Sequence, residues 1–254
     1  MRNSAPLKAV SSGAGGLSPM ERERLARSFL FVGLPPGSLT AVFENCHCLR
    51  LPAKTDVYHR GEPGKEMCIL LDGGVKVSTV SVDGKEIIFD LLSEGDFFGE
   101  VSLFDGQPRT ATVTTIVPSA LVILERDFFM GFLEKYPAVA IRLLHLLAHR
   151  LRAADTFLEE VLFFDSETRL AKRVMALKDI YGKADGDSVQ IELKVSQQEI
   201  ANLVGVTREQ VNKHLKKWER AEIIRLEHGR LTILNLPLLQ QMAKEAGGIN
   251  LMQM

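Results

Sequence analysis

Hydrophobic and polar positions change period along the chain, and the changes divide it. From about Cys46 to Asp127, short apolar runs alternate with turn signals: Gly61-Glu62-Pro63-Gly64, Asp72-Gly73-Gly74, Asp83-Gly84, Glu94-Gly95-Asp96 and Asp105-Gly106. Val75, Val77 and Thr79 alternate with Lys76 and Ser78, the period of a half-buried strand, and Asp83-Gly84 suits a hairpin turn. Strands this short and this evenly spaced predict a small antiparallel barrel or sandwich. After Pro137 the period becomes helical. Ala140, Leu144, Leu147, Leu151, Ala154, Leu158 and Val161 step by 4, 3, 4, 3, 4 and 3 residues. Such an a/d seam is what two helices need to pack side by side, and it favours a homodimer seam over a helix lying only on its own domain. A second stripe, Leu143, Leu146 and Phe157, is left to pack on the chain's own barrel.

The flanks complete the division. Residues 1–17, rich in Ser, Gly and Ala, bury too little apolar surface to order themselves and read as a disordered tail. Ser18-Pro19 fits an N-cap followed by proline at the first helical position, with a helix from Met20 to Phe31. Phe163-Phe164-Asp165-Ser166 ends the long helix and caps another over 166–182, after which Gly182 to Asp187 reads as a loop. The expected organisation is α+β, strands first and helices second: a jelly-roll-like antiparallel β-barrel domain over 18–135, a dimerisation helix over 136–164, a helical domain over 165–245, and a tail over 246–254.

The helical domain carries two capping boxes. In Ser196-Gln197-Gln198-Glu199 a hydroxyl at the N-cap meets a carboxylate three residues on, opening a helix with Ile200, Leu203 and Val204 inward. Gly205 ends it. Thr207-Arg208-Glu209-Gln210 opens the next, with Val211, Leu215 and Trp218 inward. Two short helices about a glycine turn make a helix-turn-helix. The second helix exposes Arg208, Glu209 and Asn212 in its first turn, then Lys213 and Lys216. Arg bonds guanine bidentately and Glu accepts from cytosine, so these are candidate base readers. Ser196, Gln197 and Thr207 stand where hydroxyls and helix starts meet phosphates. Residues 223–234 read as a hairpin wing turning near His228-Gly229, with Arg230 against the DNA backbone.

Composition adds limits. The 254 residues are 46% hydrophobic and 25% charged, which excludes wholesale disorder, and the net charge of −1 argues against a histone-like binder. From Ser166 onward, however, 14 Lys and Arg stand against 11 Asp and Glu. No apolar run approaches a membrane span; the best are Cys68–Leu71 and Leu121–Leu124. With no apolar secretory core at the N-terminus, the expected location is the cytoplasm. Three cysteines make no disulfide framework.

The most specific segment is Phe98-Gly99-Glu100-Val101-Ser102-Leu103-Phe104-Asp105-Gly106-Gln107-Pro108-Arg109-Thr110-Ala111-Thr112-Val113. It resembles the phosphate-binding cassette of cyclic-nucleotide-binding domains. With the helix-turn-helix, the chain resembles the CRP/FNR family of bacterial transcription regulators over about residues 20–235. The chemistry agrees. A cyclic phosphodiester carries one negative charge, and Arg109 offers it a planar fork. Gly99 admits a close backbone, and backbone N–H groups around Ser102 and Leu103 make an anion nest. Thr110 donates a hydroxyl and Glu100 accepts from a ribose 2′-OH. The competing reading is an Arg109–Glu100 salt bridge in an empty barrel. The resemblance implies a nucleotide-binding set of Phe89, Phe98, Gly99, Glu100, Val101, Ser102, Arg109, Thr110, Ala111 and Arg150, completed by Ala154 and Asp155 on the long helix. In cAMP-activated members a Thr-Ser pair occupies those last two positions. Ala154 makes no polar contact, and Asp155 suits guanine's paired N–H donors better than adenine, unless it is a solvated flank of the seam. The effector expected from the family is cAMP first, cGMP second and c-di-GMP third. The implied partners are a near-palindromic operator in double-stranded DNA, a second copy of the chain, and RNA polymerase, with no membrane.

Other chemistry is set aside. Cys46-His47-Cys48 is no metal motif, and the four cysteines of an iron–sulfur regulator are missing. His145 and His149 form an i, i+4 pair on an Arg-rich helix and read as exposed. No nucleophile elbow, Walker loop or dinucleotide fingerprint points to an enzyme. A ligand-independent DNA binder is the nearer rival.

Overall fold

The structure is a computed structural model that describes residues 17–186, 188–192, 196–227 and 230–244. The chain forms two compact units, one holding the residues up to Ser81 and Phe89–His149, the other Val82–Ile88 and Arg150 onward. The first begins with α1 (Pro19–Arg27) and α2 (Pro36–Glu44). Strands β1 (Cys46–Leu51), β2 (Asp56–Tyr58), β3 (Glu66–Asp72), β4 (Val75–Val80), β5 (Glu86–Leu92) and β6 (Phe97–Phe98) follow. Then come α3 (Glu100–Asp105), β7 (Thr112–Thr115), β8 (Ser119–Glu125), α4 (Arg126–Lys135) and α5 (Pro137–Phe163).

The strands build two four-stranded antiparallel sheets, ordered β1-β8-β3-β6 and β2-β7-β4-β5. Leu49, Leu51, Cys68, Leu70, Leu121 and Ile123 of the first meet Val57, Tyr58, Val75, Leu92 and Val113 of the second in one core. The opposite face of the first sheet, Met67, Ile69, Leu71, Val122 and Leu124, packs on Leu25, Val42, Phe129, Phe132, Val139 and Leu143 from the helices. This explains the two continuous apolar runs at Cys68–Leu71 and Leu121–Leu124. A strand buried on both faces has no polar side to alternate with.

Several expectations need correction. Leu17 is buried in the helical core, so the tail cannot extend to residue 17. Residues 1–16 and 246–254, and the wing turn at His228-Gly229, lie outside the described residues. The first helix stops at Arg27, not Phe31, because Ser28 leaves the helical region and its Oγ donates to Leu25 O at 2.7 Å. Helices α2 and α4 were not anticipated. Each is short, α2 opens on Pro36-Gly37, and the clustered phenylalanines and Gly131 of α4 blur its period. Phe157 is half-buried, with Arg173 Cζ 5.3 Å from its ring centroid.

The second unit continues with α6 (Ser166–Tyr181), β9 (Gly182–Asp185), β10 (Ser188–Ile191), α7 (Gln197–Val204), α8 (Arg208–Arg220), β11 (Ile224–Glu227), β12 (Arg230–Ile233) and α9 (Leu236–Lys244). Asp165 caps α6, its carboxylate accepting from Thr168 N–H at 2.7 Å. The expected loop at 182–187 is instead edge strand β9 up to Asp185, paired with β10 in a sheet ordered β11-β12-β10-β9. All four of its residues are exposed, so no hydrophobic alternation announces it. Helix α9, also unanticipated, buries Leu239.

Candidate functional site

Arg109 is the centre of the cassette. Its side chain is only 1% exposed. The loop at Gly61–Gly64 clasps its backbone: Arg109 N–H donates to Glu62 O and Gly61 N–H donates to Arg109 O, both at 2.8 Å. Arg109 Nη1 donates to Glu66 O at 2.8 Å and to Gly99 O at 2.9 Å, while Nη2 reaches the Glu66 carboxylate at 3.3 Å. The guanidinium carbon lies 4.2 Å from the centroid of Tyr58, which packs in turn on Phe98 with centroids 6.0 Å apart. Arg109 Nε is buried and has no hydrogen-bond partner. A buried N–H without an acceptor is costly, and an anion is the group that relieves a cationic donor of that cost.

Two glycines make this packing possible. Gly99 takes φ +85°, and a Cβ there would come within 2.6 Å of Arg109 Nη1. A Cβ on Gly64 would come within 2.5 Å of Nε. Both positions exclude a side chain because a guanidinium occupies its place.

Of the expected nucleotide residues, Phe98, Glu100, Ser102 and Ala111 are buried in this region, Val101 and Thr110 are exposed, and Phe89 lies exposed on β5. A carboxylate the sequence reading did not anticipate, that of Glu66, lies 3.3 Å from Arg109 Nη2. The expected nest also shrinks, because Leu103 N–H donates to Gly99 O at 3.4 Å within α3. Sequence reasoning missed Glu66, Tyr58 and the clasping loop. The glycine pair bracketing Glu62-Pro63 was their available signal, read only as a turn.

On α5, Arg150 is half-buried, whereas Ala154 and Asp155 are exposed. Along the proposed seam Leu144, Leu151, Leu158 and Val161 are 64%, 64%, 58% and 43% exposed, while Ala140 packs on the helical core and Leu147 is half-buried. Two clefts of about 450 and 540 Å³ run beside α1, lined in part by Met20 and Arg24; neither includes a cassette residue.

In the second unit both capping boxes form. Ser196 Oγ accepts from Glu199 N–H, and Glu199 accepts from Ser196 N–H at 2.8 Å; Thr207 and Gln210 repeat the exchange. Gly205 closes α7 at φ +74°. Arg208, Glu209, Lys213 and Lys216 are exposed on α8, and Thr207, Ser196 and Arg230 are exposed beside it in their own elements. Gln197 is partly engaged: its Nε2 donates to Asn212 Oδ1 at 3.4 Å, tying two expected DNA residues together. The far face of α8 is fastened to α6. Glu167 accepts from Trp218 Nε1 at 2.9 Å and from Lys217 Nζ at 2.8 Å, and Ser166 Oγ lies 2.9 Å from His214 Nε2. Burial opposes the Glu167 charge, but these two donors outweigh it and hold the carboxyl below its ordinary range. Burial also lowers His214.

Cys46 and Cys48 are half-buried against the helical core, and burial pushes the Cys46 thiol up to about 11. His145 and His149 are exposed. Among the described residues no cluster of three metal-ligating side chains forms, and no helix is long and apolar enough to cross a membrane.

Comparison with known proteins matches both halves. A cyclic nucleotide-binding domain model covers residues 40–136, and a Crp-like helix-turn-helix domain model covers 168–242. The CRP-like cAMP-activated global transcriptional regulator of Mycobacterium tuberculosis is 35% identical over 205 residues, spanning 81% of this chain and 92% of that protein. The cAMP-activated global transcriptional regulator CRP of Pasteurella multocida is 32% identical over 192 residues, 75% of this chain and 90% of that protein. A CRP/FNR-family transcriptional regulator from Thermus thermophilus superposes with a TM-score of 0.69 at 25% identity, over 79% of this chain and 100% of that one. The c-di-GMP responsive regulator of Xanthomonas campestris, at 22% identity and TM-score 0.69, over 78% of this chain and 99% of that one, shares the fold. Fold and site thus define a transcription regulator with a cyclic nucleotide-binding domain and a helix-turn-helix. The chain belongs to the CRP/FNR family.

Proposed function

We propose that this chain is a homodimeric, sequence-specific DNA-binding regulator controlled by a cyclic nucleotide, with cAMP as the first choice and cGMP as the second. One observation carries the reading: Arg109, a buried cation in the cassette, has an Nε donor without an acceptor. A cyclic phosphodiester supplies both the charge and the acceptor oxygens. The preference for cAMP rests on the relatives named as cAMP-activated.

The second copy is argued from the heptad face of α5, which leaves Leu144, Leu151 and Leu158 more than half exposed in one chain. A seam of that kind buries itself against its twin. The two recognition helices then read half-sites about 34 Å apart, one turn of DNA. Arg208, Glu209, Asn212, Lys213 and Lys216 face the groove, with Ser196, Gln197, Thr207 and Arg230 on the backbone. The effector acts by binding the DNA-competent state more tightly, and the break between α5 and α6 at Phe164-Asp165 is the hinge. Such a protein works in the cytoplasm, where bacterial DNA is. The domain limits proposed are 17–135, 136–164 and 165–245, the first taking in Leu17.

Titration calorimetry with cAMP, cGMP and c-di-GMP in parallel tests the reading. Micromolar binding of one of them names the signal. Binding of none overturns the effector half and leaves a ligand-independent DNA binder.

A further inference from the structure

The acceptors that surround Arg109 raise a question the effector reading leaves open. A site for a monoanion gains from a net positive charge, yet here the guanidinium already has a carboxylate 3.3 Å away. That carboxylate, Glu66, is itself only 16% exposed. Its backbone oxygen takes Nη1 while its side chain takes Nη2, so one residue grips two of the three guanidinium nitrogens. Gly99 O also takes Nη1, Tyr58 covers one face, and the guanidinium fills the space a Cβ on Gly64 would need. The cation is closed over.

We propose that Glu66 is an internal counter-anion that competes with the effector phosphate for Arg109, and so sets the effector concentration at which the protein responds. This rests on the effector reading above. Two features of the geometry support it. A bidentate phosphate on arginine uses an adjacent pair of N–H groups, and the edge that includes the unpaired Nε also includes Nη2, the nitrogen that Glu66 holds. Even if the carboxylate stays nearby, it opposes a second anion through a poorly screened interior. Glu66 is therefore a residue whose charge lowers affinity while its backbone oxygen positions the arginine. Removing the charge and keeping an acceptor separates the two effects.

The test is calorimetry of the full chain and its Glu66→Gln variant with cAMP, cGMP and c-di-GMP, with Glu66→Ser as a second uncharged variant should the first fold poorly. The expected result is binding at least about tenfold tighter in the uncharged variants for whichever nucleotide the native chain takes. The thermal stabilisation at saturating nucleotide should also be larger, because the free variant holds a buried arginine without its counter-anion. Glu66→Asp, which restores the charge, should return affinity towards the native value. Unchanged or weaker binding in folded uncharged variants overturns the role of Glu66 and leaves the effector reading intact. If neither the native chain nor any variant binds a nucleotide, the effector reading falls, and the competition with it.

Discussion

Trp218 Nε1 donates to Glu167 Oε1 at 2.9 Å, joining helix α8 to the first turn of α6. The indole is fully buried, so this bond satisfies a donor that has no access to water. Glu167→Ala should therefore destabilise the second unit by about 1–3 kcal/mol, the cost of leaving a buried N–H unpaired. Chemical denaturation of native and variant chains measures it. A change within about 0.5 kcal/mol would mean that the indole finds another acceptor.

The same junction responds to pH. Burial lowers the His214 value from its ordinary 6.5, so the folded state binds the proton less readily than the unfolded chain. Its contribution to stability is full above 6.5 and is lost as pH falls through the lowered folded value. Asp165, held low first by the Thr168 N–H, and Glu167 extend the loss into the carboxylate range. Thermal unfolding should show stability declining on acidification from about pH 6.5, and His214→Gln should remove the upper part of that decline. A variant with the native pH profile would assign the decline to other groups.

Arg109→Leu removes the cation from the cassette. Nucleotide binding should fall by about a hundredfold or more while circular dichroism stays native, since charge-assisted bonds of this kind contribute a few kcal/mol. Native affinity in the variant would place the phosphate elsewhere.

Gly64→Ala places a methyl group where Arg109 Nε now lies, 2.5 Å from the ideal Cβ. The arginine must move, so effector affinity should drop about tenfold or more at little cost to DNA affinity measured without effector. Equal affinity for the effector would show that the loop yields instead of the guanidinium.

On α8, Glu209 is exposed in the first turn. Glu209→Ala should relax preference at one base pair by about 1–3 kcal/mol. Equal weakening on every operator variant would make it a positioning residue. Likewise Asp155→Thr should shift the effector ratio from guanine towards adenine, and an unmoved ratio would leave Asp155 as a solvated flank of α5.

Patterning by itself determined the elements whose residues obey one local rule. The capping boxes at Ser196 and Thr207, the glycine stop at Gly205 and the break at Asp165 formed as read, because caps are contacts among residues within four positions of each other. The heptad stripe of α5 is equally local. The cassette was legible as a segment: Gly99 and Arg109 are close in the chain and meet in space.

Tertiary structure decided what lies far apart. Glu66 stands 43 positions from Arg109, and nothing in its neighbourhood marks it as that arginine's counter-anion. Tyr58 reaches the guanidinium from another sheet, and Gly64 is excluded from bearing a side chain by an arginine 45 residues later. The edge strand β9 was invisible because all four of its residues are exposed, so it leaves no apolar alternation to read. Local rules fix elements and their ends; only the folded chain decides which carboxylate reaches a buried cation, because that choice belongs to strand pairing and sheet packing rather than to sequence spacing.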